Sequence, residues 1–419
     1  MQYSKNNKDE LTDIAREITK LLRDKYRNKD GVFIQGRVGE EIITNPIIDD
    51  FGDVAPFISL YGGEDMCRDH IFFIQKNINN LGFKRAFAYT DLILGLIWYS
   101  RIGEMKKESL ELAIQLAEQV KDRWVRGGKT YSASYLGMTL PITNGIDSTF
   151  IEVWTELFRE TGDSKYSSLA TQAHQYFRSI HTEHKSKVIP LHYTDSPFGF
   201  FVKRFYADKF SNVNVMKDNT NYLFGLLDMI RLGVDVELAK DSFDTVHQVL
   251  SYHAKNNSLN NSLTKDVYSD LLSSFSFIDL SCDAYKLIGE VKYLEPAKQL
   301  AEYWLSLPVS VTKLFPNNYN SQVSYFDSET DMAIALLKLH ECTNDIRYHD
   351  KAIELLNGIL KFHKKENGFI LQVNINDGLV MSESIKTKFV ALFIKLLHLV
   401  SEGGSIYKDE TLFMLAKDR

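Results

Sequence analysis

Acidic residues sit at or just ahead of most of the strongly apolar, helix-period runs in this chain, and acid/base chemistry would come from them. Asp49, Asp50 and Asp53 lie in Ile47-Ile48-Asp49-Asp50-Phe51-Gly52-Asp53, Asp147 in Asn144-Gly145-Ile146-Asp147-Ser148-Thr149, and Asp218 just ahead of Asn219. Asp279 lies in Phe277-Ile278-Asp279-Leu280, Asp327, Glu329 and Asp331 surround Ser328, and Glu383 opens the last run. Two carboxyl groups held apart can divide the work, one giving a proton and the other taking one. Each acid also suits a helix N-cap, and Ser328 with Asp331 is close to a capping box. The set carries more weight than any member, because helix starts gathered at one end would bring five or more acids together. Asp279 differs from the rest. Among Phe277, Ile278 and Leu280 an unpaired carboxylate is costly, so Asp279 has either a buried partner or a place in a site.

Other side chains could complete such a site. Arg85 and Tyr89 are spaced to share one helix face. Arg85 could hold an anionic group or pair with a structural acid. His192 and Tyr193 share a long loop with Lys203 and Arg204, which stand beside Phe198, Phe200, Phe201, Phe205 and Tyr206. The Asp49-Asp50-x-x-Asp53 stretch matches the short acidic motif that holds magnesium and diphosphate, and it also suits calcium. The expectation is no cofactor and no metal, with calcium at this acidic stretch as the minor alternative. Gly-rich phosphate loops, HExxH and a nucleophilic serine elbow are all absent from the sequence.

The elements that must position these residues announce themselves through a recurring turn. Ile102-Gly103-Glu104, Thr161-Gly162-Asp163-Ser164-Lys165-Tyr166, Ile288-Gly289-Glu290-Val291-Lys292-Tyr293 and Thr343-Asn344-Asp345-Ile346-Arg347-Tyr348 each follow an apolar run and precede an amphipathic one. Gly or Asn suits the left-handed residue that ends a helix, and the acid suits the next start. The gaps, about 40 to 70 residues, fall in the range of stacked helix pairs. Runs that are apolar all round (86–100, 149–159, 222–231, 275–287, 332–339 and 389–400) alternate with amphipathic ones (108–123, 164–180, 237–253, 293–304 and 348–362). Helices buried on all sides alternating with half-buried ones imply an inner ring inside an outer ring. Val54–Leu60 supplies a seventh inner helix, and a helix over Glu10–Arg27 would pack beside the last and close the circle. Six inner helices remain if 54–60 is a loop; seven is favoured. Inner-to-outer turns are short and outer-to-inner connections long, and long loops in a compact domain usually carry function. Phe369–Val373 and Leu379–Met381 flank a turn and read as a β-hairpin. No linker divides residues 1–419, which read as one domain.

Composition narrows the function class. The chain has 419 residues, 26 Phe, 21 Tyr and a net charge of −6 with both signs spread along it, which argues against a nucleic-acid partner. Its three cysteines, Cys67, Cys282 and Cys342, are scattered and form no CxxC pair. The N-terminus is polar without a signal-peptide core, and no apolar run reaches membrane-spanning length. A cytoplasmic protein without a membrane partner is expected.

An apolar helix, a Thr-Gly-Asp-x-Lys-Tyr turn and an Ala-rich amphipathic helix together resemble the repeat unit of (α/α) toroid carbohydrate enzymes. Glu152–Phe177 is the clearest copy, with Asp283–Trp304 and Ala333–Leu356 beside it. The likeness spans roughly residues 50 to 400. It is similar to six-hairpin glycosidases, unsaturated-uronyl hydrolases, sugar 2-epimerases and the C-terminal domains of uronyl C5-epimerases. A seven-pair count is closer to the family 47 α-mannosidases, and Glu383-Ser384-Ile385-Lys386 resembles their Glu-Ser-x-Lys-Tyr segments. Their full motif set is absent, so mannosidase activity is not implied. The resemblance implies an all-α toroid of six or seven hairpins with short β-hairpins at one mouth. It implies an oligosaccharide or polysaccharide substrate and, first, an inverting glycoside hydrolase. Catalytic acids would come from Asp53, Asp147, Asp279, Glu329 and Glu383, and substrate contacts from Arg85, Tyr89, His192, Arg204 and Asn219. An epimerase or lyase would instead need a proton-abstracting group, with His192, Tyr89 and Lys203 as candidates. A glycan- or protein-binding toroid without catalysis is the third reading.

Overall fold

The recurring turns end helices in the way their backbone requires. Gly162, Gly289 and Asn344 cap their helices with φ of 67°, 82° and 58°, the left-handed region that glycine and asparagine tolerate. Gly103 differs, with φ −80°. A Cβ there would lie 2.3 Å from the Tyr99 ring, so this glycine admits a close approach instead.

The computed structural model describes residues 8–39, 41–47, 49–81, 85–131, 133–135, 138–183, 187–194, 196, 215–263, 267–366, 368–403, 405–408, 410, 413, 416 and 417. Among them are fourteen α-helices. Seven are inner: α2 (Ala55–Ser59), α4 (Thr90–Ile102), α6 (Phe150–Thr161), α8 (Val215–Arg231), α10 (Leu271–Ile288), α12 (Phe326–Thr343) and α14 (Thr387–Glu402). Each packs on the next, and α14 returns to α2, so the ring closes at seven. The outer helices are α1 (Lys8–Lys25), α3 (Glu64–Asn77), α5 (Lys106–Trp124), α7 (Ser164–Glu183), α9 (Val236–Lys255), α11 (Val291–Leu305) and α13 (Ile346–Phe362). As expected, α1 backs α14. The partner of α2, α3, was not foreseen; its stripe of Met66, Cys67, His70, Ile71 and Ile74 is short.

Between the rings lies an apolar layer that includes the fully buried Trp124, Trp154 and Trp304. Long connections gather where the inner helices begin. Strand 372–374 pairs with 380–382, the expected hairpin, and also with 323–325. Strand 34–38 joins 41–46 and 384–386, tying the two ends of the chain together. That pairing moves the start of α14 to Thr387 and leaves Glu383 exposed between two strands, not at a helix start.

At the short-turn end the ring encloses charge. Arg101 bonds Glu156 at 2.5 Å, and Arg231 bonds the same carboxylate at 2.5 Å and Asp228 at 3.1 Å. Lys338 bonds Asp279, and Asp283 at 3.0 Å, with the lysine side chain fully buried. The segment after α14 enters the same space. Lys417 Nζ reaches Asp228 at 2.7 Å and Glu152 at 3.4 Å, and the Tyr407 hydroxyl donates to Asp283 at 2.8 Å. Lys395 holds the Lys417 carbonyl at 2.8 Å, and Arg159 and Arg231 bond Glu410. The C-terminal segment therefore fills the short-turn end of the lumen. Replacing Lys338 with Met leaves Asp279 and Asp283 facing each other without their cation, which costs about 3–5 kcal/mol in denaturant unfolding at pH 7. The loss shrinks at pH 5, because burial already pushes Asp283 up to about 6 in the presence of Lys338.

Candidate functional site

At the opposite end, where the inner helices start, three carboxylates converge. Asp50 and Asp53 come from the short 3-10 turn Asp49–Asp53, and Asp91 from the first turn of α4. One oxygen of each lies within 4.8 Å of the others. The turn sits on α4 through a glycine contact: a Cβ on Gly95 would fall 1.8 Å from the Gly52 Cα. Lys388, in the first turn of α14, bonds Asp50 at 2.8 Å and Asp53 at 3.5 Å. Burial pushes the Asp53 carboxyl up; Lys388 pulls it back and Asp50 adds to the rise. For Lys388 burial acts downward, yet Asp53, Asp50 and Asp91 hold it above its ordinary value. Asp327, in the first turn of the neighbouring α12, is pushed up by burial, opposed by the backbone N–H groups of Asp327 and Ser328 and, less, by Lys388 and Lys386. Its Oδ1 has no hydrogen-bond partner among the described residues.

This cluster could hold a cation by donor type, since hard carboxylate oxygens suit calcium. The ammonium of Lys388 already bonds both Asp50 and Asp53. A divalent ion would have to displace it from the same oxygens.

A second polar group lies at the start of α6. Asp147 closes a capping box with Asn144, accepting from the Asn144 backbone N–H at 2.9 Å. His192 Nδ1 lies 2.5 Å from Asn144 Oδ1, fixed by the pairing of 143–144 with 192–193. Asn219 clamps the Ile189 backbone, accepting from its N–H at 2.8 Å and donating to its carbonyl at 3.0 Å. Asp218 packs against Gly145, where a Cβ would sit 2.6 Å from Oδ2. That oxygen has no partner among the described residues, and burial pushes the carboxyl up to about 8.

The structure thus divides the expected site residues instead of gathering them. Asp53 joins the mouth cluster, while Asp147, His192 and Asn219 hold loop and helix starts together. Asp279, expected to be either paired or functional, is paired to Lys338 deep in the lumen. Glu329 stands nine residues before the lumen-facing Lys338, about half a turn away at 100° per residue, so it faces the outer layer. There it accepts from the Ser324 hydroxyl at 2.8 Å, and burial pushes it up to about 8. Tyr89 lies against Trp124 of α5, ring centroids 5.3 Å apart, and the Arg85 guanidinium lies 5.8 Å from the Phe87 ring. Glu383 is exposed. Arg204, with Lys203 and the aromatic residues from Phe198 to Tyr206, lies outside the described residues. Asp91 and Lys388 were missed. For Asp91 the signal was the one that marked Asp279, a charged residue inside an all-round apolar run; Lys388 stands just ahead of its run.

Two predictions follow from the burial of these groups. A carboxyl whose folded-state pKa is raised stabilises the fold below its unfolded value, and that contribution is lost as pH rises through the folded value. Asp218→Asn should therefore leave stability near pH 4 unchanged and raise it at pH 8, by on the order of 1–3 kcal/mol, in denaturant titrations at the two pH values. Gly95→Ala should force α4 off the Asp49–Asp53 turn and cost about 1–3 kcal/mol as overpacking, read as a lowered unfolding midpoint.

Neither a protein-family profile nor a curated protein matches the sequence. Solved structures do match in fold. The alpha-1,2-mannosidase from Trichoderma reesei superposes with a TM-score of 0.72 at 14% identity, covering 96% of this chain and 95% of that one. A D-mannose isomerase gives 0.57 at 14% identity, covering 96% and 100%. An unsaturated glucuronyl hydrolase specific for heparin gives 0.55 at 11% identity, covering 94% and 98%. At these identities the likeness is one of architecture, and the chain has the (α/α) toroid fold that these proteins share.

Proposed function

We propose that this protein is a carbohydrate-active enzyme, a glycoside hydrolase working at the long-connection end of the toroid. The observation that carries the reading is the cluster of Asp50, Asp53, Asp91 and Lys388 with Asp327 beside it. It gathers carboxyl groups around an ammonium, and burial favours the protonated form of Asp53 and Asp327; glycosidic bond cleavage requires one ionised and one protonated carboxyl. The oxygens of the three clustered aspartates, within 4.8 Å of one another, are too close to lodge a water between acid and base. Inversion needs a carboxyl separation of about 6.5–9.5 Å. The acid then comes from outside the cluster, and Asp327 is the carboxyl that the field of Lys388 reaches from α12. In this reading Asp327 protonates the leaving oxygen, and an ionised carboxylate of the cluster takes the proton of the attacking water. Lys388, which bonds Asp50 and Asp53, favours the charged form there.

The filled short-turn end supports a further restriction. A glycan cannot thread through a lumen closed by Tyr407, Glu410 and Lys417, so the enzyme acts on chain ends. The solved structures of the same fold include a mannosidase, a glucuronyl hydrolase and a sugar isomerase, which supports a sugar substrate without choosing the reaction. Proton abstraction at a sugar carbon is less well served. His192 is turned to Asn144 and Tyr89 to Trp124. Three free thiols, at Cys67, Cys282 and Cys342, suit a reducing compartment, and we place the protein in the cytoplasm.

The test is mass spectrometry of neutral and uronic oligosaccharides incubated with the protein in water carrying deuterium and oxygen-18. Products one residue shorter with one heavy oxygen are expected. Deuterium gain without cleavage would replace hydrolysis with epimerisation, and no change in any sugar would remove the catalytic reading. Asp327→Asn and Asp53→Asn should each lower kcat by about 100-fold or more, with the thermal midpoint held within a few degrees.

A further inference from the structure

Away from the carboxylate cluster, on the rim of the same end, two tyrosines stand in water. Tyr268 precedes Asp270, the N-cap of α10, and Tyr319 lies in the connection that leads to α12. They are 53% and 52% exposed, and their ring centroids are 5.0 Å apart at 33°. Both rings are placed by backbone, not by burial. Leu271 N–H donates to the Asn317 carbonyl at 2.8 Å, and Asp270 and Asn318 form an isolated bridge. A third tyrosine, Tyr303 in the last turn of α11, lies within electrostatic reach of both. Its hydroxyl is buried and has no hydrogen-bond partner among the described residues. Around Tyr319 the chain is neutral and amide-rich, with Asn317, Asn318, Asn320 and Ser321 beside it, whereas Lys265, Asp266 and Asp270 flank Tyr268 in sequence.

Side chains of this size leave about half of their surface in water where they stand. Their faces carry partial negative charge, and flat aromatic surface left in water is a binding surface in waiting. The C–H faces of pyranose rings carry the complementary charge, while amide groups suit the hydroxyls at the ring edge. The geometry points to a second carbohydrate site here: Tyr268 and Tyr319 form a stacking platform for a neutral oligosaccharide or polysaccharide, with Tyr303 beneath it. The sugar class rests on the functional reading above; the platform uses none of its catalytic residues. A ligand held at the rim would raise the local concentration of the same chain at the mouth, so its effect would grow with substrate length.

The test is affinity electrophoresis of the full chain through gels containing soluble mannan, xylan, mixed-linkage glucan or starch. Retardation by at least one polysaccharide is expected. In Tyr268→Ala/Tyr319→Ala the association constant should fall about 10-fold, while Tyr319→Phe, which keeps the ring, and Asp53→Asn should retain it. The double variant should keep kcat on a short substrate and raise KM on a long one. Both side chains are exposed, so its thermal midpoint should match the wild type; if it does not, Tyr268→Gln/Tyr319→Gln replaces it. No retardation by any of the four, or equal retardation of wild type and the ring-deleted variant, would overturn the platform. Retardation lost only in the ring-deleted variants, with no turnover of any sugar, would keep the platform and remove the hydrolase reading.

Discussion

Ion pairs between neighbouring inner helices are the constraint on which this toroid depends. Each pair spans a boundary in the ring. Arg101 of α4 meets Glu156 of α6, which also meets Arg231 of α8. Lys338 of α12 meets Asp279 and Asp283 of α10. Lys417 bridges Glu152 of α6 and Asp228 of α8 from the C-terminal segment. Buried pairs add little net stability over apolar packing, but a mismatch is expensive because it strands a charge. Seven similar apolar helices could otherwise pack in alternative neighbour orders. The charges disfavour alternatives in which a buried charge would lose its partner. They also explain why the last residues matter to the whole: without Lys417, Glu152 and Asp228 would face each other across the α6–α8 boundary.

The ring was legible in the sequence because its signals are local. A left-handed cap at Gly162, Gly289 or Asn344 needs only its own residue, and alternation between all-round and one-sided apolar helices needs only one helix at a time. Facing was not legible. Glu329 stands near the start of an inner helix, as the mouth acids do, yet it points outward because Lys338 fixes the lumen side half a turn away. Glu383 failed for a different reason. Strand pairing between 384–386 and 36–38 connects residues about 350 apart, and no local pattern announces a contact of that range. Charge inside apolar runs was the unused clue. It marks Asp91, Asp228, Lys338 and Lys395, which all contact the lumen network or the mouth cluster.

The two ends of the lumen solve the same electrostatic problem differently. Helix dipoles favour anions at inner-helix starts and cations at their ends. The positions of Asp50, Asp53 and Asp91 at one end, and of Arg101 and Arg231 at the other, follow that preference. At the short-turn end Lys338, Arg231 and Lys417 each meet two carboxylates, and burial still raises Asp283. At the long-connection end Asp50 and Asp53 share one ammonium, Asp327 keeps an oxygen without a partner among the described residues, and burial raises both Asp53 and Asp327 despite the dipoles. A group whose proton is held by burial, and not locked by a partner, can exchange that proton with a ligand. Fully paired charges cannot without breaking the ring. The proposed chemistry uses the end where Asp327 keeps an oxygen without a partner among the described residues, and the ion pairs at the other end join neighbouring inner helices.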